Sequence, residues 1–288
     1  MIQSSELILN PDGSIYHLHL RPEHLAETII TVGDPDRVGQ VSKHFDQLEY
    51  TFNKREFVTH TGYIGNKRLS VISTGIGPDN IDIVFNEVDA LFNIDLNTRQ
   101  PKSALTSLQF VRIGTSGSLQ TDIPVDSFLL SSHAISWDNL FSFYEIPASE
   151  QTQGLEKSLA QAVPSLPVHG RIFEAPGDLE EHFDNSYFRG ITLTCPGFYA
   201  PQGRQLRLPS RIKEIHFEQL QAAKLEAYRI TNMEMETAAI YGMAQMLGHQ
   251  ALSCNAILAN RPLGQFSSNP GKTVEQLIEQ VLDRLVSS

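Results

Sequence analysis

The sequence of 288 residues holds only two cysteines, Cys195 and Cys254. They lie far apart and form no Cys-x-x-Cys motif, so no disulfide framework is expected and a reducing cytosol suits the chain. Long apolar runs are missing as well: no stretch approaches the roughly 20 residues a membrane-spanning helix requires. The opening Met-Ile-Gln-Ser-Ser-Glu is not a basic segment followed by an apolar run, so no signal peptide is expected and the protein reads as cytoplasmic. Positive charge is scarce. Lys and Arg total 22 against 33 Asp and Glu, a formal net charge of -11. Such a surface repels nucleic-acid backbones and membranes, so neither is an expected partner. An anionic small substrate would need a local cluster of cations.

Several chemistries are excluded in the same way. The 10 histidines are scattered, without a His-Glu-x-x-His motif or paired ligand spacing, so no catalytic metal is expected. No Gly-x-Ser-x-Gly elbow suggests a serine hydrolase. Gly75-Ile76-Gly77-Pro78-Asp79-Asn80 begins like a dinucleotide fingerprint, but Asn80 stands where its third glycine belongs. Gly271-Lys272-Thr273 ends like a P-loop, but Phe266 stands where that loop's first glycine belongs.

What is present is an ordinary globular composition, 41% hydrophobic and 19% charged, in a chain long enough to bury a large core. Short apolar runs at Thr28–Val32, Leu69–Ser73, Phe110–Ile113, Ser127–Leu130, Ile191–Thr194 and Ala251–Leu258 read as strands. Several are apolar throughout, as strands covered on both faces are. Helical patterns intervene at Asp79–Phe92 and Glu236–Leu247, the second stopped by Gly248. The last helix is the clearest. Thr273 is its expected cap, with Gln276 completing a capping box, and Val274, Leu277, Ile278, Val281, Leu282 and Leu285 make one apolar stripe. Asp95–Ser107 reads as an inserted polar loop and Arg261–Lys272 as a mobile one. The alternation predicts an α/β fold: a single domain over residues 1–288 with a central mixed β-sheet flanked by helices.

Four segments carry candidate chemistry. In Gly33-Asp34-Pro35-Asp36-Arg37-Val38, Asp34 and Pro35 suit a helix start. Arg37 then sits in a first turn where the dipole disfavours a cation by roughly 0.3–1 kcal/mol. A bound anion would reverse that penalty; the alternative is an exposed arginine on an ordinary turn. In Val111-Arg112-Ile113-Gly114-Thr115-Ser116-Gly117, a charge inside an apolar strand is costly unless paired. Beside hydroxyls and free N–H groups, Arg112 suits the oxygens of a phosphate; the alternative is a structural Arg–carboxylate pair with a glycine turn. In Asn232-Met233-Glu234-Met235-Glu236, the two carboxylates could receive the hydroxyls of a ribose, but only at a non-helical entry, because positions i and i+2 diverge on a helix. Dipole compensation by acids is the alternative. Phe198-Tyr199-Ala200-Pro201-Gln202-Gly203-Arg204 offers rings to stack on a base, with Gln202 and Arg204 to read a pyrimidine edge, or it is a polar turn.

Taken in order, these segments resemble the hexameric nucleoside phosphorylase family, with its uridine-specific branch as the nearest pattern. The resemblance runs from about His17 to Arg261. It is strongest at Gly-Asp-Pro-Asp-Arg-Val, Arg-Glu-Phe (55–57), Ser-Thr-Gly-Ile-Gly (73–77), Arg-Ile-Gly-Thr-Ser-Gly (112–117) and Glu-Met-Glu (234–236). It implies that Gly33, Arg37, Arg112 and Thr115 bind phosphate, joined by Arg55 from a neighbouring subunit. His17 of a neighbour would reach the ribose 5′-hydroxyl, while Met235 and Glu236 hold the ribose. Phe198 would pack on the base, with Gln202 and Arg204 selecting uracil. Arg112, Glu236 and Arg204 are the residues it makes catalytic. Asn260-Arg261 stands where purine-specific members place an Asp, which argues for a pyrimidine nucleoside.

The resemblance further implies inorganic phosphate as co-substrate, no organic cofactor, self-association as a homodimer or a trimer of dimers, and in some members a monovalent cation held at the position of Glu56. Ser73–Pro78 has one glycine fewer than those members, and Ala200-Pro201 replaces their Pro-Gly turn. The competing readings are a purine phosphorylase or nucleosidase of the same fold, or a catalytically silent nucleoside-binding protein.

Overall fold

A computed structural model describes residues 1–146, 149–168 and 170–287. Strand β1 (Thr28–Val32) and helix α1 (Pro35–Ser42) are followed by β2 (Gln47–Lys54), β3 (Phe57–Ile64) and β4 (Lys67–Ser73). Helix α2 (Pro78–Asn93) leads through the short pair β5 (Ile94–Asp95) and β6 (Gln100–Pro101) to β7 (Gln109–Ser118) and β8 (Phe128–Ser136). Next come α3 (Glu150–Ala162), β9 (Arg171–Glu174), β10 (Phe188–Thr194), α4 (Glu214–Ala222) and β11 (Lys224–Leu225). The chain ends with β12 (Tyr228–Glu234), α5 (Thr237–Leu247), β13 (Gln250–Asn260), β14 (Gln265–Phe266) and α6 (Pro270–Ser287).

Twelve of these strands form one mixed sheet in the order β11-β12-β10-β8-β13-β7-β1-β4-β3-β2, with β9 on β8 and β14 on β13. Its central strands are buried on both faces, which explains their unbroken apolar runs. Neighbouring residues point to opposite layers. Ile29, Ile72 and Phe110 pack under α2 and α5 with Val84, Phe85 and Ala239. Ile30, Val71 and Val111 pack under α1 and α6 with Val38, Leu277 and Val281. Each such side chain contributes roughly 1.5–3 kcal/mol on burial.

The sheet also curls back on itself. Strand β12 pairs with β10 and, through Asn232 with Ser118 and Met233 with Gly117, with β7. Strands β7, β13, β8, β10 and β12 thereby close into a small barrel. This closure is what brings the Glu-Met-Glu segment beside Arg112.

Several local expectations are corrected. Gly114 and Gly117 do not form a turn: β7 runs on through both to Ser118. The final helix is not capped by Thr273. It begins at Pro270, with the Asn269 side chain accepting from the Lys272 amide at 3.3 Å, because Asn followed by Pro is itself a strong helix start. Thr273 lies inside the helix and donates to Asp126 Oδ1 at 2.5 Å. The segment from Arg261 to Lys272 is not structureless either, since β14 turns back onto the end of β13. The polar stretch after residue 95 contains one side of the β5–β6 hairpin. Glu236 precedes α5 as its N-cap residue and is not its first turn.

Candidate active site

A cavity of about 870 Å³ opens where β1, β7, β12 and β13 end, lined by Gly33, Arg37, Arg112, Thr115, Ser116, Phe198, Gln202, Arg204, Met235 and Glu236 among others. Carboxyl ends of adjacent strands are the usual place for a ligand crevice in an α/β sheet. Four segments separated in sequence thus share one space. Those of the expected site residues that do not line it are His17 and Arg55.

At one end stand two guanidinium groups. Asp34 caps α1 by accepting from the Asp36 amide at 3.0 Å, and Pro35 opens the helix. The first turn directs Arg37 back across the sheet, where its Nη1 donates to the Ile113 carbonyl at 3.4 Å. Burial and the positive charge of Arg112 hold the Arg37 guanidinium below arginine's usual range. Two cations facing one cavity repel each other, and an anion between them would convert that repulsion into attraction.

Arg112 is buried, and both of its terminal nitrogens have partners. Its Nη2 lies 2.7 Å from Glu236 Oε2 and 3.0 Å from Glu234 Oε2. Its Nη1 donates to Asn255 Oδ1 at 3.1 Å. Burial alone would lower the Arg112 guanidinium, but Glu234 and Glu236 outweigh it and hold the group above its usual range. Gly114 makes this posture possible: a Cβ there would lie 1.9 Å from Arg112 Nη1. The glycine that reads as a turn signal in the sequence is therefore space for a folded-over side chain.

The two glutamates differ in role. Glu234 closes β12, where its carboxylate accepts from Thr194 Oγ1 at 2.6 Å and from the amides of Glu236 and Thr237 at 2.8 Å and 3.0 Å. It is thus the acceptor at the start of α5, the alternative that the sequence allowed for these acids. Glu236 lies at the non-helical entry that a shared site requires. It accepts from the Gly77 amide at 2.9 Å as well as from Arg112. Burial, opposed by Arg112 and reinforced by Glu234, holds the Glu236 carboxyl above the usual carboxylate range.

The other end is built on a tight turn, Ala200–Gln202, closed by left-handed Gly203 (φ 69°). Any Cβ at Gly203 would meet the Phe217 ring at 2.3 Å. Gln202 is buried. Arg204 donates to the Gln202 side-chain oxygen and to the Phe198 carbonyl, and its guanidinium lies 3.8 Å over the Phe198 ring. Arg261, whose role the sequence did not reveal, stands behind this group. It stacks 4.4 Å over Phe217 and donates to the Gln202 carbonyl and to Met233 Sδ. The only signal was a charged residue directly after an apolar strand. Burial and the charge of Arg261 hold Arg204 below arginine's usual range. Like the end that holds Arg37 and Arg112, this end carries two neighbouring positive groups.

His17 and Arg55 lie together outside the cavity. Glu87 holds the His17 ring at 2.6 Å and accepts from its backbone amide. Tyr16 packs edge-on against His17 and beneath Arg55. Arg55 itself has a left-handed backbone (φ 56°), and the next residue, Glu56, does line the cavity. Among the described residues, Glu56 belongs to no trio of acidic, His or Cys side chains able to share an ion; the one such trio is His44, Glu275 and Glu279. There Lys43 Nζ already meets Glu275 at 2.8 Å.

Several known proteins are similar to this chain. The uridine phosphorylase of Thermococcus kodakarensis is 28% identical over 268 residues, 91% of this chain and 83% of that one. The uridine phosphorylase of Haemophilus influenzae is 25% identical, covering 96% and 97%. The crystal structure of a Trypanosoma brucei nucleoside phosphorylase, described as showing uridine phosphorylase activity, superposes with a TM-score of 0.87 at 27% identity, covering 98% of this chain and 100% of that one. The sequence profile of the Phosphorylase superfamily matches residues 27–287, and this chain belongs to that superfamily.

Proposed function

We propose that the protein catalyses the phosphorolysis of uridine to uracil and ribose 1-phosphate, working in the cytoplasm as one domain over residues 1–288. The observation that carries the proposal is the convergence of Arg37 and Arg112 on one cavity, with Glu236 beside them and Arg204 at the far end. A phosphate held by Arg37, Arg112, Thr115 and the Gly33 amide lies below the sugar as nucleophile and counter-charge. Held there, it gains the proximity advantage of an intramolecular reaction. Met235 and Glu236 position the ribose. The C1′–N1 bond breaks with its electron pair passing to uracil, and a phosphate oxygen bonds to C1′. Arg204 and Gln202, backed by Arg261, stabilise the charge that develops on the base. No side-chain nucleophile takes part.

His17 and Arg55 complete the site of a neighbouring subunit in this proposal, His17 at the ribose 5′-hydroxyl and Arg55 at the phosphate. Their clustering with Tyr16 outside their own cavity supports that use. The working assembly is then a homodimer or a trimer of dimers. Inorganic phosphate is the co-substrate, and no organic cofactor is required. No step of the proposed reaction depends on a monovalent cation beside Glu56.

Uracil release from uridine, followed with and without inorganic phosphate, tests the proposal. Release is expected to require phosphate and to be much slower with inosine or adenosine. Release that is equally fast in phosphate-free buffer would identify a hydrolase, and faster turnover of inosine would overturn the pyrimidine assignment.

A further inference from the structure

A second cavity, of about 780 Å³, lies apart from the candidate active site and shares no lining residue with it. It takes Tyr228 and Arg229 from the start of β12, whereas the active-site cavity takes Met233 and Glu234 from that strand's other end. The separation along the strand is roughly 17 Å. Buried Leu179, Gly190 and Ala251 line its deep wall together with His133, which is only 1% exposed. Glu174, Lys224 and Glu226 are exposed and form its rim. An apolar recess of this volume with a few polar groups has the make-up of a small-molecule site.

His133 is the polar group of that wall. It stands on β8 directly across from Glu174 in the β8–β9 register, with its ring 4.4 Å from the Tyr228 ring. Its Nδ1 meets Ser132 Oγ at 3.1 Å. Its Nε2 is buried and has no hydrogen-bond partner among the described residues, a condition that folded proteins rarely keep without a reason. Burial holds the ring below histidine's usual range, although Glu180 and Glu226 pull it upward, so the ring is neutral near pH 7. With its one proton on Nδ1 and shared with Ser132, Nε2 keeps a lone pair and accepts. The charges around the cavity favour a donor for that lone pair. Arg189 is tied to Glu180 at 2.5 Å and Arg229 to Asp122 at 2.9 Å. Among the described residues Glu174, Glu226 and Lys224 make no ion pair, so two free carboxylates face one ammonium. A cation with N–H groups satisfies both Nε2 and the carboxylates, whereas an anion meets repulsion from them.

We infer that this cavity is a second ligand site, for a small planar cation bearing N–H donors, with His133 Nε2 as its buried anchor and Glu174 and Glu226 as its counter-charges. An amidine or a protonated amino-heterocycle has that chemistry. The flat part of such a ligand packs against Tyr228, whose ring face also favours positive charge. Liquid water takes about 30 Å³ per molecule, so the cavity has room for a whole ligand and not for one bridging water alone. Occupancy there makes and breaks no bond and needs no phosphorolysis at the other cavity.

Calorimetric titration of benzamidine into the full chain tests the site, with benzoate as the anion of the same outline. For a probe of this size a dissociation constant of about 1 mM or lower is expected, and benzoate should bind at least about tenfold more weakly. Crystals soaked in benzamidine should show it beside Tyr228, with an amidine nitrogen within hydrogen-bond reach of His133 Nε2. His133→Leu keeps much of the bulk and removes the lone pair. It is expected to weaken benzamidine about tenfold, the size of a lost hydrogen bond to a charged group. Glu226→Gln changes only the exposed rim and is expected to weaken benzamidine about threefold, so the site stays testable if His133→Leu fails to fold. Several results would overturn the assignment: no benzamidine binding below about 10 mM, tighter binding of benzoate, or density only in the active-site cavity. An affinity within about twofold of wild type in His133→Leu, or no loss in Glu226→Gln, would do the same.

Discussion

Arg112→Ala is expected to lower kcat/KM for uridine phosphorolysis by at least about 10³-fold and to destabilise the protein as well. The guanidinium lines one cavity with Arg37, and in the proposed reaction it supplies part of the positive field that holds phosphate. It also pairs with two buried carboxylates, Glu234 and Glu236, at 3.0 Å and 2.7 Å. Removing one partner of a buried pair costs about 3–5 kcal/mol, because the other charge stays behind. In a domain of this size that corresponds to roughly a 10 °C fall in Tm. With Arg112 gone, only the Gly77 amide still opposes the burial and the Glu234 charge that raise Glu236, so that carboxyl is driven further toward its protonated form. Arg112→Lys separates the two effects. It keeps a positive charge and is expected to recover part of the stability, but it lacks the fork that bonds Asn255 and both glutamates together. Steady-state kinetics and thermal unfolding of the two variants check this. A kcat/KM within tenfold of wild type in Arg112→Ala would contradict the assignment of Arg112 to the reacting end.

Arg204→Ala is expected to act at the opposite end and leave phosphate alone. Arg204 and Arg261 form a second positive pair, and burial together with the charge of Arg261 holds Arg204 below arginine's usual range. A base that gathers negative charge as it leaves relieves that tension only as the bond breaks. Such a contact favours the transition state over the ground state. Loss of one preorganised donor of this kind costs on the order of 3 kcal/mol, about 10²-fold in kcat. The KM for phosphate should stay within about threefold. Gln202→Ala should have a smaller effect of the same pattern, because the Gln202 side chain also holds Arg204. A phosphate KM that rises in step with the loss of kcat would show that Arg204 belongs to the anion site and not to the base.

Most of the layer structure was legible because the central strands are apolar on both faces and the last helix has a single apolar stripe. The Arg37 turn was legible too, since Asp34, Pro35 and a misplaced cation form a local pattern. Closure of the sheet was not. The pairing of Met233 with Gly117 joins residues over a hundred positions apart, and no period in the sequence encodes it. The different uses of Glu234 and Glu236 follow from that closure and so were hidden as well. Strand β7 shows the same limit from another side. Gly114 is a local turn signal, but the space it leaves is filled by the side chain of Arg112. The same holds for Arg261, whose importance comes from Phe217 and Gln202 and not from its neighbours in the chain.

A crystal structure of the protein grown with saturating inorganic phosphate tests the central claim most directly. Tetrahedral density is expected between Arg37 and Arg112, within hydrogen-bond reach of both guanidinium groups and of Thr115. Phosphate bound elsewhere, with Arg37 and Arg112 turned into separate surroundings, would contradict it.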